Sequence, residues 1–165
     1  MKISMDHLFL APREELWNLL LNPAVLANCI PGCEQMQEAG LDSYTATLKV
    51  GVAAVKGTYI GHVRIGEKQA PSGYKLLVEG SGALGFVKGH ASLGLAEEAE
   101  RQTRLSLDGE AQVGGRIGSV GQRFLSGIAR QLIGSFFRNI EKELLAGELT
   151  ASGILPDNPA EPLNG

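Results

Sequence analysis

The sequence predicts an α+β fold in which one antiparallel sheet of about seven strands curls around a long C-terminal helix. Three observations predict it. Apolar residues alternate with polar ones in a series of stretches divided by tight turns, the mark of half-buried strands. Ahead of most of those strands, helical spacing appears only in two short segments. A last apolar stripe at helical spacing then runs from Gly114 to about Ala146, which at 1.5 Å per residue would span roughly 50 Å and could lie across a whole sheet. Strands that follow one another without intervening helices make an antiparallel meander rather than parallel crossovers. Helices kept apart from strands mean α+β.

Taken in order, residues 2–11 alternate, with Ile3, Met5, His7 and Phe9 on one face and Lys2, Ser4 and Asp6 on the other. Pro12 opens a short helix, where its fixed φ is an advantage. Glu14 and Glu15 suit the helix's positive end, and Leu16, Trp17, Leu19 and Leu20 give its apolar side. Asn22-Pro23 caps a second short helix, from Ala24 to about Asn28, which Ile30-Pro31-Gly32-Cys33 stops. A weak strand, Glu34 to Ala39, turns at Gly40-Leu41-Asp42. Next, Ala46, Leu48, Val50 and Val52 share a face, then Tyr59, Gly61, Val63 and Ile65, then Tyr74, Leu76 and Val78 after the turn at Ala70-Pro71-Ser72-Gly73. Two longer strands follow, with Val87, Gly89, Ala91, Leu93 and Leu95 inward on one, and Thr103, Leu105, Leu107, Ala111 and Val113 inward on the other. Residues 1–146 form the predicted domain. The tail 147–165, with three prolines and few large apolar residues, reads as a flexible end.

On the long helix, Ile117, Gly121, Phe124, Leu125, Ile128, Leu132 and Phe136 share one broad face. Gly114, Gly118 and Gly121 sit on or near it, although each glycine costs a helix up to about 1 kcal/mol. Inward glycines on the strands, Gly61 and Gly89, add to the pattern. Glycines facing a sheet keep space open, and that space is expected to be a ligand cavity. Its lining would be mostly aliphatic, since aromatic residues make up 5% of the chain, and so suited to a lipid-like or isoprenoid tail. Trp17, Leu26, Ile30, Tyr59, Phe86 and Phe124 are candidates for its mouth, with Ile128 on the helix above. Arg116, Arg123 and Arg130, at steps of seven, drift only about 20° per step. They form a candidate basic stripe for a partner protein or anionic lipid head groups.

Composition excludes several classes. A net charge of −3 with no basic cluster argues against nucleic-acid binding. No apolar run approaches the roughly 18 residues of a membrane span, and the first residues lack a signal-peptide core, so the cytoplasm is the expected compartment. Cys29 and Cys33 have no second pair to complete a zinc site, and a cytoplasmic disulfide is disfavoured. They read as small hydrophobes beside a turn. His7, His62 and His90 lie on separate strands without an evident orienting partner, and no nucleophile elbow or metal-type histidine pair is present. No catalytic or metal site is expected. Gly80-Ser81-Gly82 with Gly85 opens a strand, not a helix, and so cannot cradle a phosphate at a helix N-terminus.

Several weak signals in the right order carry a resemblance. They are Pro12 to Trp17 with Asn22-Pro23 and Leu26, then Cys29-Ile30-Pro31-Gly32-Cys33, then Lys56-Gly57 with Tyr59 and Gly61. Gly80-Ser81-Gly82 with Gly85, Lys88-Gly89, Gly114-Gly115, Gly121-Gln122-Arg123 and Phe136-Phe137 follow. Over about residues 1–146 the chain resembles the CoxG family of carbon monoxide dehydrogenase accessory proteins, a branch of the START and Bet v 1-like helix-grip superfamily. The resemblance implies a helix-grip fold with an internal hydrophobic cavity. It also implies an accessory role beside a molybdenum hydroxylase of the aerobic carbon monoxide dehydrogenase type. Some family members carry a C-terminal membrane anchor. The tail here has no apolar stretch of that kind, so peripheral membrane contact is the expectation in its place. The leading reading is a non-enzymatic protein that holds a quinone or lipid. The alternatives are a helix-grip enzyme (cyclase, dehydratase or hydrolase) and a pure protein–protein adaptor with a filled core.

Overall fold

The computed structural model describes residues 1–151 and 153. Seven strands form one antiparallel sheet: β1 (Lys2–Phe9), β2 (Cys33–Gly40), β3 (Ser43–Val50), β4 (Gly57–Gln69), β5 (Gly73–Gly82), β6 (Gly85–Ala99) and β7 (Gln102–Gly115). Their spatial order is β1-β7-β6-β5-β4-β3-β2. The meander from β2 to β7 is thus consecutive, and β1 closes beside the last strand. Two short helices, α1 (Arg13–Leu20) and α2 (Pro23–Cys29), link β1 to β2, and α3 (Gln122–Ala151) ends the described chain. This is the α+β helix-grip architecture expected from the alternation pattern.

Local chemistry sets the boundaries. Pro12 stands at the N-cap of α1 with Glu14 and Glu15 in the first turn. Asn22 caps α2, its Oδ1 accepting from the Ala24 and Val25 amides at 3.0 and 3.4 Å. These bonds satisfy donors that a helix start leaves without intrahelical partners.

The long helix begins later than its periodicity suggests. Residues 114 and 115 belong to β7, paired with Phe86 and Gly85. A 3-10 turn, Arg116–Val120, comes next, and α3 starts at Gln122. Gly115 (φ +76°) and Gly121 (φ +101°) bracket that turn in conformations that no right-handed helix passes through. Gly114, Ile117, Gly118 and Gly121 are therefore not on the helix. Its 30 residues span about 45 Å. The helix also continues through Ala151, so residues 147–151 are not part of a tail; apart from Gly153, the rest of the expected tail lies outside the described residues.

The interior has two apolar clusters. The larger gathers Phe9, Leu16, Trp17, Leu20, Leu105, Phe137, Ile140 and Leu144 where α1, α2 and the C-terminal half of α3 meet the sheet. The smaller joins Val55, Ile117 and Leu125, with Met1, Tyr59, Leu84 and Ile128 against them, at the opposite end of the strands. The apolar face of α3 runs through Leu125, Phe137, Ile140 and Leu144.

Candidate functional site: an apolar hollow under the long helix

Between the two clusters the inner face of the sheet is nearly bare. Register brings Gly61 opposite Gly80, Gly80 opposite Val87, Val78 opposite Gly89, Gly89 opposite Ala111 and Ala91 opposite Gly109. These positions face inward by the same alternation that buries Ile65, Leu93 and Leu105 further along the strands. Side chains of one carbon or none cannot reach the helix above. The result is a hollow of about 140 Å³. Ile3 of β1, Val78, Val87, Ala91 and Leu107 of the sheet, and Ile133 of α3 line it, and it opens to solvent. Its walls are apolar almost throughout.

Some of the glycine vacancies are tolerant and some are not. At Gly61 and Gly80 an added Cβ would find only ordinary contacts, at 3.7 Å or more. At Gly89 it would meet the Glu110 carbonyl oxygen at 2.8 Å, closer than real Cβ atoms come. Gly89 is thus needed by the close approach of β6 and β7, whereas Gly61 and Gly80 serve to leave room.

A larger depression of about 530 Å³ lies over the same strands on the other face of the sheet. Glu79, Lys88, His90 and Glu110 stand in its walls, and His90 Nε2 lies 3.6 Å from Glu110. Charged groups of both signs, already hydrated, make a poor lining for an apolar molecule. The smaller, apolar-walled hollow is the better ligand site.

Of the site residues expected from sequence, only Gly89 lines the hollow directly. Gly61 lies on the same inner face, buried. Tyr59 and Ile128 pack against the smaller cluster and are not in the lining of the hollow. The Tyr59 hydroxyl donates to the Val55 carbonyl at 2.6 Å, and burial raises its pKa. Trp17 packs in the larger cluster, its ring 5.7 Å from that of Tyr74. Leu26 and Ile30, at the end of α2, are half-buried. Two expected mouth residues are corrected: Phe86 is 44% exposed and Phe124 49% exposed. Phe86 falls on the outward phase of β6, its ring lying over Gly114, and Phe124 lies in the first turn of α3. Gly118, within the 3-10 turn, and Gly121, just after it, are exposed and do not line the hollow.

The basic stripe is also redistributed. Arg116 precedes the helix, Arg123 is exposed, and Arg130 donates to the Ser4 carbonyl at 3.0 Å, tying α3 to β1. Sequence reasoning missed a carboxylate partner for His7, whose Nε2 meets Glu141 of α3. The ring of His7 lies 4.6 Å from that of Phe9 and 5.4 Å from that of Phe137. Glu141 follows Phe137 by one helical turn, at the border of the apolar stripe, and that position was the available signal. This pair belongs to the β1–α3 seam and does not line the hollow.

Cys29 and Cys33 are free thiols. Burial, and secondarily the charge of Glu143, pushes Cys29 up to about 11. Burial also raises Cys33, whose Sγ donates to the Gln35 carbonyl at 3.5 Å. Among the described residues no three His, Cys, Asp or Glu side chains converge as a metal site requires. No helix among them is long and apolar enough to cross a membrane.

A curved sheet gripping one long helix, with a hollow between, is the architecture of the START/SRPBCC superfamily. The chain is similar in fold to a START superfamily protein of Mycobacterium smegmatis, with 8% identity, TM-score 0.68, and coverage of 86% of this chain and 95% of that one. It is likewise similar to the AHSA1 protein of Silicibacter pomeroyi, with 14% identity, TM-score 0.62, and coverage of 89% and 99%. A conserved protein of Geobacillus kaustophilus is nearer, with 36% identity, TM-score 0.87, and coverage of 88% of this chain and 96% of that one. Residues 9–145 match the family of the carbon monoxide dehydrogenase G-subunit (CoxG), and the chain belongs to that family. A comparison with curated proteins finds no match.

Proposed function

We propose that the protein is a non-catalytic carrier. It would hold the apolar tail of a quinone or lipid in the hollow under α3, beside a molybdenum hydroxylase of the aerobic carbon monoxide dehydrogenase type. The work would be done in the cytoplasm, in service of that enzyme's membrane association or maturation. One observation carries the reading: side chains of minimal volume, Gly61, Gly80, Gly89, Ala91, Gly109 and Ala111, gather on one inner face where tight packing would call for Leu or Ile. Water in an apolar hollow finds few polar partners, so walls of this kind between two well-packed clusters favour an apolar occupant.

The size of the space narrows the occupant. About 140 Å³ is below the roughly 300–1,000 Å³ of sites that enclose drug-sized ligands. It suits a slender acyl or isoprenoid segment, with any head group left at the opening. Membership of the CoxG family supports the choice of enzyme partner. The His7–Glu141 pair lies outside the lining of the hollow, which supports a carrier over an enzyme. Native mass spectrometry of the protein purified from its own host tests the reading. The expected result is a retained apolar molecule of a few hundred daltons, with the molybdenum hydroxylase co-purifying. A ligand-free protein that never accompanies such an enzyme would refute it.

A further inference from the structure

The end of the molecule that holds the smaller apolar cluster differs from the rest in charge. Three segments form it: residues 51–57 between β3 and β4, the β5–β6 hairpin at 82–86, and residues 115–124 between β7 and α3. They are held together by Ile117, whose amide donates to the Leu84 carbonyl at 2.9 Å, and by the Val55–Ile117–Leu125 contacts. The longer stretches 43–66, 80–96 and 111–140, which contain these segments, include no Asp or Glu at all. Within the segments, Lys56, Arg116 and Arg123 are exposed and, among the described residues, take part in no ion pair. Toward the opposite end four cations are paired with carboxylates, while Arg64, Arg138 and Lys142 stand exposed on stretches that carry no large exposed aromatic side chain. Lys68 meets Asp42 at 3.0 Å and Lys75 meets Glu67 at 2.9 Å, while Arg101 pairs with Glu148 and Arg104 with Glu98.

The same acid-free segments, bordered by the Lys49–Glu34 pair at 3.1 Å, carry two of the largest exposed apolar side chains, Phe86 at 44% and Phe124 at 49%. Ala53 and Ala54 of the first segment are also exposed. Unpaired cations interleaved with exposed phenylalanines on small-residue loops are what an anionic bilayer surface attracts: the rings enter the acyl boundary and the cations stay among the head groups. With a net charge of −3, such attraction must come from a local cluster of cations and not from the charge of the whole chain.

We propose that this end, through Lys56, Arg116, Arg123, Phe86 and Phe124, docks on anionic phospholipid. The docking deepens the membrane-association part of the carrier reading. Its test uses neither ligand nor enzyme, so the two can fail separately.

Co-sedimentation of the full chain with vesicles is that test. Phosphatidylcholine vesicles containing about a third phosphatidylglycerol are expected to bind it, and pure phosphatidylcholine vesicles are not. Binding by the unmodified protein should fall steeply with added salt, a readout that needs no variant. The K56Q/R116Q/R123Q variant should bind about tenfold or more weakly, and F86S/F124S should also lose affinity. R64Q/R138Q/K142Q, which removes three cations elsewhere, should stay within about twofold of the unmodified protein. Thermal melts would confirm that each variant folds. Failure of the unmodified protein to bind the anionic vesicles, salt-insensitive binding, or an equal loss in the distal variant would overturn the proposal. The first of these would point to an acidic protein surface as the occupant of this end.

Discussion

At one end of the interior Phe9, Leu16, Trp17, Phe137, Ile140 and Leu144 interlock, while along the middle of the same sheet Gly61, Gly80, Gly89, Ala91 and Gly109 face the helix with almost no side chain. Both regions are built on the same strands, with the same inward and outward alternation and under the same helix. Along the strands they differ in side-chain volume, and at the packed end α1 adds Leu16, Trp17 and Leu20 to the interior. Backbone pattern therefore decides the fold, and residue size along each strand decides whether the fold is filled. The packed end supplies the stability that lets the middle remain open.

Substitutions should separate these regions. Phe137→Ala, in the packed end, removes a ring that touches Phe9, Phe136 and His7. It should cost about 3–5 kcal/mol, read from urea unfolding. A stability loss under about 1 kcal/mol would show that the packed end is looser than described.

Cys29, in the packed end, should resist alkylation by thiol reagents at pH 8 while Cys33, only half-buried, reacts first. The Cys29 pKa is raised from 9.0 to about 11, so the fold favours the neutral thiol. That contribution is fully present below pH 9 and is lost as pH rises through about 11. Tyr74, raised by burial, acts in the same direction. A pH series of unfolding midpoints checks the sign: stability should decline above pH 9, and a Cys29→Ala variant should decline less.

Asn22→Ala removes the cap of α2 and should cost about 1 kcal/mol, read from the same unfolding curves. Val87→Ala, in the lining of the hollow, should cost less than about 1 kcal/mol because the space beside it is already open. If Val87→Ala proved as costly as Phe137→Ala, the contrast between the regions would vanish. His7→Gln, which breaks the partly exposed pair with Glu141, should shift stability least, by about 0–1 kcal/mol.

Much of the architecture was legible before the structure. Strand alternation placed Val78, Val87, Ala91, Leu107 and Ala111 on the inner face, and they line or border the hollow. The Asn22-Pro23 cap and the turns near Asp42 and Pro71 also follow from local chemistry. The start of α3 was not legible, because Ile117, Gly121 and Leu125 fit a helical wheel equally well when a 3-10 turn and two positive-φ glycines intervene. Phe86 and Phe124 looked like lining because aromatic residues usually seek the interior. Strand phase put one outside, and the delayed helix start exposed the other. The meeting of His7 with Glu141, 134 residues apart, depends on how the helix lies over β1, which no local pattern encodes.

Titration with a fluorescent single-chain polyene fatty acid tests the central claim most directly, comparing the unmodified protein with Ala91→Leu, whose added bulk enters the hollow. The account predicts saturable one-to-one binding that the substitution abolishes while the unfolding transition stays cooperative. Absence of saturable uptake, or uptake unchanged by Ala91→Leu, would contradict it.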